Sequence, residues 1–98
     1  TLLLSLLARA PMYGYQIVKE MEQRSSGYFR FKEGTLYPAL HRLEKAGLVE
    51  GRWHEVEGTQ PRRYYHITPK GRRVLQERLT EWRRFALAVD QVMLPETP

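Results

Sequence analysis

The 98-residue chain contains no cysteine. Disulfides and thiolate metal centres are therefore excluded, and so is a thiol nucleophile. Long apolar runs are also missing: none approaches the ~18–20 residues that a membrane-spanning helix needs. There is no glycine-rich phosphate loop and no paired-carboxylate cleft. The serines supply no alternative nucleophile. Ser5 lies in a buried-helix pattern, Ser25 and Ser26 lie in a helix-ending turn, and none sits in a nucleophile elbow. An enzyme is not expected, and no cofactor is required. No signal peptide is visible. The chain opens at Thr1, and a few residues are expected to precede it. Nothing demands an oxidising compartment, so a cytoplasmic location is expected. The length suits one domain with a modest core. A hydrophobic content of 42% is too high for a disordered tail.

What the chain does have is positive charge. Lys and Arg number 16 against 11 Asp and Glu, for a net +5. Residues 28–73 hold ten of the bases and five of the acids, so the excess sits in the middle. A basic middle beside a near-neutral tail suggests a polyanion-binding face and a separate packing element. An ordinary solvated surface is the bland alternative.

Residues 2–10 read LLLSLLARA, apolar almost all round, which fits a short buried helix ended by Pro11. In MYGYQIVKEMEQRSSG, Gly14, Ile17, Val18 and Met21 fall on one face at spacings of three and four. The pattern predicts an amphipathic helix from about Tyr13 to Arg24, stopped by Ser25-Ser26-Gly27. After an irregular Tyr28–Phe31 link, Leu36, Leu40 and Leu43 form the stripe of a third helix, Thr35 to Ala46, with Gly47 as its stop. Pro38 is expected in its first turn, where a missing N–H costs little.

Leu48–Glu55 and Arg62–Ile67 read as two strands around the turn cluster VEGTQP. A hairpin centred near Gly58–Thr59 pairs Trp53 with Tyr65 and Gly51 with Ile67, which places Val49, Trp53, Tyr65 and Ile67 on one face. Thr68-Pro69 opens a last helix, although Gly71 occupies the capping-box position usually held by Glu or Gln. That helix runs to Leu94 before Pro95, about 26 residues or ~39 Å.

Three helices, a hairpin and a long helix make the order of a winged helix-turn-helix. The expected fold is mainly α with a small β-hairpin: a DNA-binding head over residues 1–68 and a C-terminal dimerisation helix over 69–98. The third helix shows Thr35, Pro38, His41, Arg42 and Lys45 opposite its leucines, with Tyr37 on the flank and Lys32 just before it. Arginine can grip a guanine edge, while Thr, Tyr and Lys suit phosphates. Gln60, Arg62 and Arg63 put two guanidiniums near the wing tip. These ten residues are the expected contacts to double-stranded DNA. On the last helix Leu75, Leu79, Trp82, Ala86, Val89 and Met93 recur at steps of four and three. A ~39 Å helix outreaches a globule of ~13 Å radius of gyration. Its far half needs a partner, and a second copy is the simplest one.

The stretches MYGYQIVKEME, EGTLYPALHRLEKAGLV and RRYYHITPKGRRVL, with Trp53 and Gly58 in the hairpin, resemble the PadR family of bacterial winged-helix transcriptional regulators. The single C-terminal helix is similar to that of the family's smaller branch. The resemblance implies a homodimeric operator-binding regulator, usually a repressor and often released by a small molecule. It also implies that Tyr37 and its polar neighbours on the third helix approach DNA together with the wing. Thr35, Tyr37, Pro38, His41 and Arg42 match position for position.

Some family members resemble multidrug sensors that hold flat aromatic compounds between the terminal helices. Trp82 can serve as such a platform or as a dimer-core residue. Tyr15, with Met12 and Tyr13, can line the same region. An aromatic effector is favoured over a divalent metal. For a metal, His54 and His66 are the only candidates, as diagonal neighbours on the ribbon with Glu50 and Glu55 nearby in sequence; solvated polar residues are the alternative. The competing functions are a winged helix used only for protein contacts, and a metal-responsive regulator. RNA binding is disfavoured, since no aromatic stacking platform on a sheet is evident.

Overall fold

The computed structural model describes residues 1–55 and 57–95. Its elements are α1 (Leu2–Leu7), β1 (Met12–Tyr13), α2 (Gly14–Arg24), α3 (Glu33–Lys45), β2 (Val49–His54), β3 (Arg62–Ile67) and α4 (Pro69–Met93). The core gathers where α1, α2 and α3 meet the sheet. Leu4, Leu7, Ile17, Leu36 and Leu40 are fully buried there, with Met12, Met21, Leu48, Val49, Tyr65 and Leu75 around them. No polar or charged residue is buried among the described residues, so burial alone drives this assembly.

The sheet has three strands rather than the expected two, in the antiparallel order β1-β3-β2. Met12 and Tyr13 pair with Tyr65 and Tyr64. Two residues are too few for a period-2 pattern, so this strand left no signal of its own. The hairpin register also differs from the expected one. Trp53 faces Arg63, Gly51 faces Tyr65 and Val49 faces Ile67. The strands end at His54 and Arg62, which leaves a longer connection than a tight turn. Part of the turn cluster, Val56, lies outside the described residues. A slip of two residues keeps every side chain on its face, so Val49, Trp53, Tyr65 and Ile67 still share one.

α3 starts two residues earlier than expected, with Lys32 at its N-cap, so Pro38 lies inside the helix and not in its first turn. Its missing N–H leaves the Gly34 carbonyl without its helical donor. At the other end Gly47 (φ +76°) closes the helix. Its N–H donates to the Glu44 carbonyl, and the Leu48 N–H donates to the Leu43 carbonyl. α2 ends in the same way, but with Ser26 at φ +52°. Its N–H donates to the Gln23 carbonyl, and that of Gly27 donates to Glu22. A serine there carries the steric cost of the left-handed region. Ser26→Gly should therefore stabilise the fold by about 0.5–1 kcal/mol, read as a higher urea midpoint at unchanged slope. An unchanged midpoint would mean that the turn relaxes at no cost.

The start of α4 is locked to the rest of the head. The Thr68 hydroxyl oxygen accepts from the Gly71 N–H at 3.0 Å, and the same hydroxyl donates to the Gly47 carbonyl at 2.7 Å. The Thr68 N–H donates to the Leu48 carbonyl at 3.1 Å, and Lys70 Nζ reaches the Ala46 carbonyl at 3.0 Å. Gly71 fails the capping-box pattern for a steric reason: a Cβ there would run into the Leu48 carbonyl oxygen and the Ile67 side chain.

α4 ends at Met93, close to the expected stop, and residues 96–98 of the expected second unit lie outside the described residues. The seam expected along it divides in two. Leu75 is buried in the core of its own head, and Leu79 packs against that core. Beyond them the helix leaves the head, which is why the molecule extends 62 Å along its long axis and has a radius of gyration of 16.4 Å.

Candidate nucleic-acid interface

At about 100° per residue, Tyr37, His41, Lys45, Pro38, Arg42 and Thr35 spread over roughly 160° of α3, opposite the stripe of Leu36, Leu40 and Leu43. All six are exposed, as is Lys32 at the N-cap. Among the described residues the side chains of Lys32, His41, Arg42 and Lys45 make no hydrogen bond or ion pair. The Lys32, Arg42 and Lys45 charges and the His41 imidazole face solvent and remain available to a ligand.

Tyr37 sits where α3 meets the N-terminus of α2. Its ring and hydroxyl cover Gly14 so closely that a Cβ at that position would overlap them. The glycine in MYGY is therefore a seat for the Tyr37 ring. Gly14→Ala should force Tyr37 out of place while leaving the α3 leucines packed. The expected result is a loss of DNA affinity larger than any loss of stability, measured by anisotropy and thermal melting on the same sample. Affinity falling only in step with stability would make the contact purely structural.

The wing joins this surface through a cleft of about 300 Å³ lined by Tyr13, Gly14, Tyr37, Trp53, Arg62, Arg63 and Tyr65. Tyr37 and the two arginines, expected at the interface from the sequence, are thus brought together. Arg62 stacks over the Tyr13 ring at 4.5 Å. Arg63, also expected at the interface, is engaged within the fold. Its Nη2 donates to Glu44 Oε2 at 3.0 Å, and both side chains are largely covered. Its guanidinium also lies 5.7 Å from the Trp53 ring and crosses Gly51, where a Cβ would collide with it. Arg63 is thus a strut between wing and α3, with its charge already met by Glu44. Burial, and then the Glu44 carboxylate, push the Tyr65 phenol pKa upward. Gln60 stands farther out, beside Trp53, Glu55 and Pro61. Trp53, 67% exposed, was read from the sequence only as a packing residue. In the observed register it stands opposite Arg63 rather than Tyr65.

Thr35 and Arg42 border a second hollow of about 350 Å³, between α1 and α3, floored by Leu2, Leu3, Phe31, Leu36, Ala39 and Leu43. A third and larger groove, about 760 Å³, runs between the start of α1, Phe29 and α4, where Arg78, Leu79, Trp82 and Phe85 line it. Trp82 and Phe85 are 58% and 61% exposed, with ring centroids 5.8 Å apart. Phe85 was missed because it lies off the strict seven-residue positions; a count of apolar residues around α4 would have found it. Tyr15 does not join this groove and is exposed elsewhere. Met12 is buried in the core, and Tyr13 packs edge-on against Tyr64.

On the opposite face of the sheet, His54 and His66 are two same-face rungs apart rather than diagonal neighbours, yet their rings reach each other. Their Nε2 atoms are 3.3 Å apart. Burial, then Arg52 and His54, lower the His66 pKa against the pull of Glu50. Glu50 is held by Arg52 at 3.1 Å. Among the described residues no group of three His, Cys, Asp or Glu is placed to hold a metal.

The chain is similar to known proteins over nearly its whole length. A protein of Lysinibacillus sphaericus is 34% identical over 93 residues, covering 95% of this chain and 85% of that one. The solved structure of a transcriptional regulator from Clostridium thermocellum is 34% identical, with a TM-score of 0.84 over 94% of this chain and 89% of that one. A PadR family transcription regulator from Clostridium difficile is also 34% identical, with a TM-score of 0.78 over 96% and 95% of the two chains. The profile of the family described as "Transcriptional regulator PadR-like family" matches residues 3–77. That stretch holds α3, the wing and the locked start of α4, and by it the chain belongs to the PadR-like family of transcriptional regulators, not to an enzyme family.

Proposed function

We propose that the chain is a homodimeric repressor of the bacterial cytoplasm. It binds a pseudo-palindromic operator with α3 in the major groove and the wing along the flanking backbone. The carrying observation is that exposed Lys32, Arg42 and Tyr37 lie on one side of α3, while Tyr37 and half-buried Arg62 of the wing line one cleft beside the Glu44–Arg63 strut. An α-helix fits the major groove, and two heads on one two-fold axis match a palindromic site. His41, Arg42 and Thr35 face base edges and nearby phosphates. Lys32, Lys45, Gln60 and Arg62 face the backbone, and Tyr37 and Pro38 shape the contact between them.

Family membership supports DNA as the partner. The far half of α4, where Trp82 and Met93 are exposed and Ala86 and Val89 half-buried, supports the dimer. The groove holding Trp82 supports a flat aromatic effector that releases the operator, because a ligand stacked there would sit against both the head and the dimerisation helix.

The test is fluorescence anisotropy with the DNA upstream of the protein's own gene, against scrambled DNA, at several salt concentrations. Arg42→Ala should change sequence preference by about 1–3 kcal/mol at one base position. Arg62→Ala should weaken binding to all sequences and flatten the salt slope by about one. Equal loss on every sequence with Arg42→Ala would reduce that residue to a phosphate contact. No binding at any salt would leave the protein-contact reading in its place.

A further inference from the structure

The face of the sheet turned away from the helices carries Tyr13, Tyr64, Arg62, His66, Glu50, Arg52 and His54, by the alternation of the three paired strands. Two of these groups are arranged as ligands. His54, near the end of β2, and His66, near the end of β3, reach toward each other across Tyr64, and their Nε2 atoms are 3.3 Å apart. Two imidazole nitrogens bound about 2.0–2.1 Å from one ion at the tetrahedral angle stand about 3.3–3.4 Å apart. We propose that His54 and His66 form a two-imidazole site on the wing for one divalent transition-metal ion of the zinc, nickel and copper class.

The pair is held in place before any ion arrives. Its strands are joined by a six-pair register. The His54 ring lies 4.5 Å from the Tyr64 ring, and the two imidazole planes are within 19° of each other. Without metal, one N–H between the two nitrogens satisfies both rings as a hydrogen bond. An ion replaces that proton when the two rings turn so that both Nε2 lone pairs converge on it. Neutral imidazole selects borderline ions over calcium or magnesium, which take oxygen ligands.

The surroundings set the strength. Glu50 is engaged by Arg52, and Arg62 faces His54 across the ladder, so no carboxylate completes the site and two cations oppose it. The ion therefore keeps open positions for water and binds far more weakly than a structural zinc.

The test is a zinc chloride titration of the whole chain at neutral pH, after chelator treatment. Proton NMR of the carbon-bound imidazole hydrogens and calorimetry report the binding. The His54 and His66 signals should move together to an end-point of one ion per chain, while His41 on α3 stays still. His54→Gln and His66→Gln should each weaken binding by about tenfold or more, and calcium should have no effect. Signals that stay put up to about millimolar zinc, or variants that bind as tightly as the parent, would overturn the site and leave the pair as a hydrogen bond only. The signal shifts are read on the unaltered chain, so the test does not depend on how the variants fold. It is also independent of operator binding.

Discussion

Gly71→Ala should lower the melting temperature by more than 10 °C. The added methyl carbon has nowhere to go, because the Leu48 carbonyl oxygen and the Ile67 side chain already occupy its place. Backbone cannot rotate aside as a side chain can, so α4 must shift as a body. That shift strains the contacts fixing its start: Thr68 to Gly47 and Leu48, and Lys70 to Ala46. Overpacking of a tight site costs about 1–3 kcal/mol, and the damaged hydrogen bonds add about 1 kcal/mol each. For a domain of this size each kcal/mol corresponds to about 4–8 °C. Thermal unfolding followed by circular dichroism checks the result. Gly58→Ala is a useful contrast: its added carbon meets no neighbour, and only its φ of +79° resists the change. A Gly71→Ala melt within a few degrees of the parent would mean that the α4 junction is far looser than its geometry.

Three glycines also show what could be read from the sequence. Gly47 was legible as a helix stop, since a glycine after an apolar stripe is a local signal. Gly71 registered only as a gap in the capping box, and Gly14 as one more residue on an apolar face. Each is needed because a distant segment comes close, Leu48 in one case and Tyr37 in the other. No local pattern encodes that. The same division holds across the fold. The α2, α3 and α4 helices follow from period, caps and prolines, and the stops of α2 and α4 fall where expected. β1 was missed because two residues carry no period, and it exists only because β3 has an open edge for it. The hairpin faces were legible and its register was not, since a shift of two preserves the pattern.

The polar face of α3 was likewise visible as charges opposite leucines. The division of labour in the wing was not. Arg62 and Arg63 are adjacent and chemically identical, yet strand alternation sends them to opposite faces. Only one of them meets Glu44, a residue 19 positions away in the chain. Sequence alone could count two guanidiniums but could not say that one is a strut.

Val89→Glu should convert the protein to a monomer and cut operator affinity by about 100-fold or more. Leu75 and Leu79 belong to the head, so a charge at either would disturb the fold and the dimer together. Val89 lies beyond the head on the same helical stripe as Trp82, Ala86 and Met93. A two-fold seam repeats every contact, so one substitution buries two unpaired charges in an apolar interface. In the proposed dimer, loss of the partner removes the second reading head. Linked heads gain about 10²–10⁴ in avidity over one, which sets the size of the affinity loss. Leu87→Glu is the control: it sits on nearly the opposite side of α4, is 60% exposed, and should leave both properties unchanged. Sedimentation velocity and anisotropy on the same samples separate the alternatives. A Val89→Glu protein that sediments as a dimer would place the interface elsewhere on the molecule. A clean monomer with undiminished operator affinity would mean that one head reads the site alone.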